Sequence, residues 1–277
     1  MNKSPEYEII IEPNSGFRNY WKDLWRYSGL FYFLAWRDIL VRYKQTVIGI
    51  AWSVIRPVLT MIVFTVVFGK IAKLPSGDVP YPILVYAAML PWQFFSNTFS
   101  ESSNSLILNS SLITKVYFPR LIIPTTSMIV SLIDFLISSV ILLFLMLWYG
   151  FYPDWRVVIL PLLLIFASIT ALGSGYWISA INVKYRDFRY VIPFLVQFGL
   201  LISPVGFSSD IVPEKWRLVY SINPMAGVID GFRWALLGGE SKIYWPGFLL
   251  SVVLAVLVFI GGVRFFRKTE RSFADVI

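Results

Sequence analysis

The sequence predicts an all-α membrane protein: six transmembrane helices, an N-terminal amphipathic interface helix, and re-entrant outer helices between spans five and six. Three observations carry this expectation. First, the 277 residues are 57% hydrophobic, 18% aromatic and only 14% charged, with a mean hydropathy of +0.69. A soluble domain of this size needs a larger polar share to cover its surface. Second, six stretches approach the roughly 20 mostly apolar residues that a bilayer crossing requires. Third, Lys and Arg alternate between the gaps. Segments 1–46, 102–120, 182–189 and 264–277 carry 16 of them, and 70–82, 150–156 and 208–245 carry 7. That bias is the positive-inside pattern. It predicts a multi-pass protein of the cytoplasmic (inner) membrane with N- and C-termini cytosolic. The long 208–245 segment holds most of the 7 and weakens the bias.

The N-terminus, MNKSPEYEIIIEPNSG, has no apolar core and does not read as a cleaved signal peptide. Residues 17–27 do carry a helical pattern. Phe17, Tyr20, Trp21, Leu24 and Trp25 recur at i, i+3, i+4, i+7 and i+8, and Arg18, Asn19, Lys22, Asp23 and Arg26 take the other face. Such a helix lies in a membrane interface with Trp and Tyr at headgroup depth. Ser28-Gly29 interrupts it, and a second amphipathic piece over 31–45 leads into span one. The bare pattern leaves two readings open, a surface anchor or a helix that docks on a partner.

The six spans are expected at 47–69, 83–101, 121–149, 157–181, 190–207 and 246–266. The second is weaker because it ends in polar residues. Span four holds Ala167, Ala171, Gly175 and Ser179 on one face, a seam where helix backbones can approach closely. Between spans five and six, Pro213-Glu214 starts a short helix through Tyr220. Asn223-Pro224 starts another, and Gly238-Gly239 stops it. Met225, Val228, Ile229, Phe232, Leu236 and Leu237 give that second helix an apolar stripe. A stripe of this kind does not face bulk water, so both helices are expected to lie re-entrant at the outer surface, with an ordinary extracellular hairpin as the alternative. No repeat or soluble domain interrupts the chain, and 1–277 reads as one membrane domain. Within it, 1–46 and 267–277 form cytosolic tails around a 47–266 membrane region.

The chemistry is as informative for what it excludes. The sequence has no Cys and no His, so disulfides, Cys/His metal sites and imidazole catalysis are excluded. No phosphate-cradling GxxxxGK[ST] loop is present, and no GxSxG or HExxH motif. No catalytic residue and no metal ligand set is assigned. The net charge of +8 sits between apolar runs, which fits topology and not a nucleic-acid face. Acids inside spans are few: Asp134 near the middle of span three and Glu101 at the inner end of span two. An ionisable group at that depth is a functional candidate, although a hydrogen bond to a neighbouring helix also explains it. Arg56 lies within span one, where snorkelling to headgroups is the simpler reading. Aromatics fill the spans, among them Phe64, Phe68, Trp92, Phe94, Phe95, Tyr176, Trp177 and Phe198. Most suit belt or lipid-facing positions, but rings can also stack on the C–H faces of a sliding sugar polymer. Finally, SLITKVYFPRLIIP at 111–124 sets Lys115 and Arg120 around Val116, Tyr117 and Phe118, with Pro119 as a stop. An aromatic knob rimmed by cations suits a protein groove, though a plain positive-inside loop would look similar.

Three blocks together resemble the permease subunit of ABC-2 type exporters, in the polysaccharide and polyol-phosphate branch. They are WRDILVRYKQTVIGIAWSVIRPVLTMIVFTVVFG at 36–69, LPWQFFSNTFSESSNSLILNSSLITKVYFPRLIIP at 90–124, and NVKYRDFRYVIPFLVQFGLLISPVGF through NPMAGVIDGFRW at 182–234. The resemblance implies a homodimer of this chain with two copies of a separate ABC ATPase. ATP and Mg bind that partner and no cofactor binds this chain, in keeping with the missing phosphate loop. It implies ATPase coupling through Lys115, Val116, Tyr117, Phe118, Pro119 and Arg120. The 17–45 stretch becomes an interface helix carrying Trp21, Trp25, Trp36, Arg37 and Arg42. The implied cargo is a lipid-linked polysaccharide, with O antigen favoured over capsule or teichoic acid, moving through membrane lipid and not along nucleic acid. ATP-driven motion is expected to move span one and open a path past Arg56, Phe64, Phe68, Trp92, Phe95, Tyr176, Trp177 and Phe198, with Arg56 meeting the phosphate of the linker. Competing readings are an ABC-2 drug or lipid exporter, a proton-coupled secondary transporter that would depend on Asp134, and a scaffold without transport.

Overall fold

The computed structural model describes residues 17–44, 49–185, 187–238, 241–270 and 273, with no β-strand among them. Eleven α-helices follow in chain order. They are α1 (Phe17–Arg26), α2 (Ser28–Lys44), α3 (Gly49–Phe64), α4 (Tyr81–Leu108), α5 (Ser110–Lys115), α6 (Ile122–Trp148), α7 (Leu160–Lys184), α8 (Phe188–Ile202), α9 (Glu214–Tyr220), α10 (Pro224–Leu237) and α11 (Trp245–Glu270). The side chain of Trp21 lies outside the described part, as do residues 1–16 and 274–277 of the expected tails.

Four helical stretches are long and apolar enough to cross a membrane: Ser53–Ile71, Ile122–Trp148, Trp155–Lys184 and Trp245–Glu270. They match expected spans one, three, four and six. The other two differ for physical reasons. Helix α4 has 28 residues, about 42 Å of rise, so its length is ample. Its second half is polar because most of it is buried among neighbours and need not face lipid. Helix α8 has 15 residues, about 22 Å, short of the ~30 Å hydrocarbon thickness. It stops at Ile202, and 203–207 run on without helix where span five was expected to continue.

Helix α4 is the hub, packing on α6, α7, α10, α3 and α8, while α7 pairs closely with α11. The small-residue face of α7 makes this possible. A Cβ at Gly175 would collide with Ser102 of α4. On the opposite side, a Cβ at Gly173 would sit 2.7 Å from the Phe259 Cα of α11. Two apolar clusters result. One joins the first half of α4 to α10, Val205 and the adjoining ends of α6 and α7. The other, at the far end, gathers Leu34, Leu106, Ile113, Phe118, Ile122, Tyr176 and Phe266. These two ends are called the α10 end and the α2 end below.

The expected short helices form at the α10 end. The Asn223 side chain caps α10 by accepting from Met225 N–H at 3.0 Å. Gly238, with φ of +65°, ends it in a conformation that favours glycine. The apolar stripe of α10 is buried on α4, α7 and α11, as its composition requires. At the other end stands α2. It packs mainly on α6, and from there Arg37 reaches Asn109 and Arg42 reaches Glu101 of α4. Helix α3 is loosely held, with 11% of its apolar window buried. Its continuation Thr65–Ile71 winds as a π-helix, a form common at functional positions.

Candidate functional site

The polar half of α4 is the spine of the site. Gln93, Ser96, Ser100 and Asn104 form one stripe at helical spacing, and Asn97, Glu101 and Ser105 form another. Each stripe opens onto hollow space. A cavity of 600 Å³ between α2, α4 and α6 is lined by Arg37, Asp38, Arg42, Glu101 and Asn109. A second of 290 Å³ between α3, α4 and α6 is lined by Arg42, Ser53, Arg56, Gln93, Asn97, Ser131, Asp134 and Ser138. A third of 450 Å³ between α3, α4 and α8 is lined by Arg56, Thr60, Trp92, Gln93, Ser96, Ser100, Asn104 and Gln197. Arg42 is common to the first two, and Arg56 and Gln93 to the last two. A polar track therefore leads from α2 into the bundle on both sides of α3.

Its charges are unevenly spread. Arg42 forms ion pairs with Glu101 of α4 and, at 2.5 Å, with Asp134 of α6. Tyr43 donates to the other Asp134 oxygen at 2.6 Å. Asp134 thus has its partners on α2. Arg56 is exposed and forms no ion pair among the described residues. The α6-side cavity sets Arg56 against the Asp134 carboxylate. The α8-side cavity has amides, hydroxyls and apolar groups but no carboxylate in its lining, so an anion there meets positive charge that no acid of the lining opposes.

The aromatics divide into two sets. Trp92 lines the α8-side cavity, packs on Phe95 at 5.4 Å, and lies against Gly199 of α8. Phe198 is 51% exposed on α8 and stacks on Phe194 at 5.9 Å. Phe64 and Phe68 meet edge to face at 5.4 Å, and Phe68 sits against Gly206. Tyr176 and Trp177 stand elsewhere. Tyr176 is buried and bonds Thr125 at 2.9 Å. Trp177 stacks on Phe265 at 4.7 Å and donates to the Val258 carbonyl at 3.1 Å. Both belong to the α7–α11 seam; like Phe64, Phe68, Phe95 and Phe198 they line none of the three cavities, and of the expected path rings Trp92 alone does.

The 111–120 loop is also split. Helix α5 delivers Lys115, and Val116 and Tyr117 stand exposed, the latter at 64%. Partial burial, then the Glu270 and Asp23 carboxylates, push the Tyr117 hydroxyl above its ordinary range. Phe118, at 3% exposure, and Pro119 turn inward. Phe118 is thus core and not part of the exposed knob. The chain bends at Phe118 after α5, so Phe118 and Pro119 turn into the bundle while Val116 and Tyr117 stay outside. The Arg120 N–H donates to the Glu270 carboxylate at 2.7 Å, its guanidinium bonds the Glu270 carbonyl, and it lies over the Phe273 ring. Trp25 and Trp36 are exposed on α1 and α2.

Arg233 was not foreseen. It is 1% exposed in the apolar stripe of α10 and donates to the carbonyls of Leu84, Val205 and Phe207 at 3.2, 3.0 and 2.6 Å. A guanidinium has five donors in a fixed fork; here two of its groups satisfy the Val205 and Phe207 carbonyls in the non-helical stretch after α8, and a third reaches Leu84 on α4. The visible signal was one cation inside that stripe.

Known proteins align with this arrangement over most of its length. Residues 29–237 match the family described as ABC-2 type transporter. An O-antigen export system permease protein, RfbA, of Myxococcus xanthus is 27% identical, covering 92% of this chain and 98% of its own. RfbA of Klebsiella pneumoniae is also 27% identical, covering 87% and 92%. A polysialic acid transport protein, KpsM, of Escherichia coli is 23% identical, covering 85% and 92%. The matched region takes in α2, the whole cavity track and α10, and on that match the chain belongs to the ABC-2 type transporter family.

Proposed function

We propose that this chain is the permease subunit of an ATP-driven exporter that moves a lipid-linked polysaccharide, O antigen first among them, across the inner membrane. The observation that carries this reading is the nearly end-to-end alignment with export permeases of that cargo class. The polysialic acid relative supports capsule as the second cargo. The chain acts as a homodimer with two copies of a separate ATPase, which bind ATP and Mg. Lys115, Val116 and Tyr117 offer the exposed coupling surface, joined by Trp25 and Trp36. The substrate path runs by Arg56, with the linker phosphate on the α8 side, where no carboxylate opposes it. Trp92, Phe95 and Phe198 supply ring faces near that side.

The test is reconstitution of the chain with its ATPase in vesicles containing a lipid-diphosphate-linked glycan. ATP should drive the glycan across, and the ATPase alone should not. Absence of ATP-dependent movement for O-antigen, capsule and teichoic-acid substrates alike would refute the reading. In the working complex, Arg56→Gln should lower transport about tenfold at low substrate and less at saturation, with Arg56→Lys between the two. Equal transport by all three would return Arg56 to snorkelling.

A further inference from the structure

We infer that Arg42 is a positioning residue that pins α2, α4 and α6 into one body, so that a push on α2 is delivered to the cavity wall and not lost by sliding. The inference rests on the reading of α2 as a partner-contacting helix.

The geometry gives the reason. Arg42 is near the C-terminus of α2, yet its guanidinium joins carboxylates from two other helices: Glu101, well inside α4, and Asp134, near the middle of α6. Tyr43, the next residue, adds a 2.6 Å bond to Asp134. One turn back, Arg37 donates to Asn109 at 2.9 Å, where α4 meets α5. Two ties separated along α2 fix its position as well as its direction. Moving α2 out of reach of these carboxylates would leave Glu101 and Asp134 without their shared cation. In a partly dehydrated cavity this uncovering opposes motion more strongly than loss of an apolar contact. The same ties connect the two surfaces expected to meet the ATPase, since α5 leads directly into Lys115 and Tyr117. By contrast, α3 packs loosely between two cavities. The pinned body is therefore the driver, and α3 is the element free to respond.

The chain has no cysteine, so α2 can be probed by a single introduced pair. Val41 and Leu108 are both exposed and line the same cavity, and neither belongs to the tie. In the assembled complex, Val41→Cys with Leu108→Cys is treated with a short bifunctional thiosulfonate. With Arg42 present, the crosslinking rate should be the same in nucleotide-free and ATP–vanadate states. With Arg42→Gln the rate should become nucleotide-dependent, differing about fivefold, and Arg42→Lys should restore most of the constancy. Glu101→Gln, which leaves the Asp134 pair, serves if Arg42→Gln does not assemble and should give an intermediate change. A rate that varies with nucleotide in the Arg42 parent, or stays constant in both Arg42→Gln and Glu101→Gln, overturns the inference. A second readout separates positioning from bulk stability. Arg42→Gln should hydrolyse ATP near the parent rate while moving about tenfold less glycan per ATP. Crosslinking needs no glycan, so a wrong cargo assignment would appear in transport and leave the crosslinking result intact.

Discussion

Single residues in this chain separate by burial more sharply than by type. Tyr117 and Phe118 are neighbours of similar size, yet one faces outward and the other is core. Phe118→Ala should therefore destabilise the folded chain by about 3 kcal/mol, the usual cost of deleting a buried ring. Tyr117→Ala should leave stability within about 0.5 kcal/mol and instead reduce ATPase coupling. Thermal unfolding in detergent and ATP turnover of the complex read the two effects separately. Arg233 gives a second case. Arg233→Met keeps the apolar stem but removes three hydrogen bonds, leaving the carbonyls of buried Val205 and half-buried Phe207 in the non-helical stretch without them. Each unsatisfied group costs about 1–3 kcal/mol, so we expect a large fall in thermal midpoint. Retention of the parent midpoint would show that water replaces the guanidinium there.

Elements were legible where their signal was local. The Asn223-Pro224 cap and the Gly238 stop bound α10 as the sequence implies, because a cap needs only adjacent residues. The small face of span four became the close contact of Gly175 with α4. Converting Gly262 to Ala should push α11 from α7, since its Cβ would sit 2.5 Å from the Gly173 carbonyl. Overpacking of this kind costs about 1–3 kcal/mol, readable again by unfolding. What the sequence did not disclose depends on partners distant in the chain. The polar half of α4 looks like a weak span until neighbouring helices cover it. The early stop of α8 is invisible in an apolar run, because the Phe207 and Val205 carbonyls of the non-helical stretch after it are satisfied by Arg233, 26 and 28 residues onward. Asp134 and Glu101 were visible as acids at depth, but their shared cation lies 92 and 59 positions away.

At the scale of the molecule, two apolar clusters hold the ends, and a polar track between them opens beside a loosely packed helix. The α2 end carries the exposed Lys115, Val116 and Tyr117 and the Arg42 tie, and the α10 end carries two short helices and the Arg233 clamp. The all-helical membrane class and the ABC-2 family were readable from composition, charge bias and three sequence blocks spread along the chain. The division of aromatics was not, since a ring that lines a cavity and a ring that fills a seam look alike in one dimension. The central claim is that this chain and a separate ATPase together export a phosphate-linked glycan along the Arg56 side of α4. Its most direct test is ATP-dependent movement of lipid-linked O antigen into vesicles by the reconstituted complex, comparing the parent with Arg56→Gln. Movement should depend on ATP and fall about tenfold with the substitution at limiting substrate. Movement that occurs without ATP, or that the substitution leaves unchanged, would contradict it.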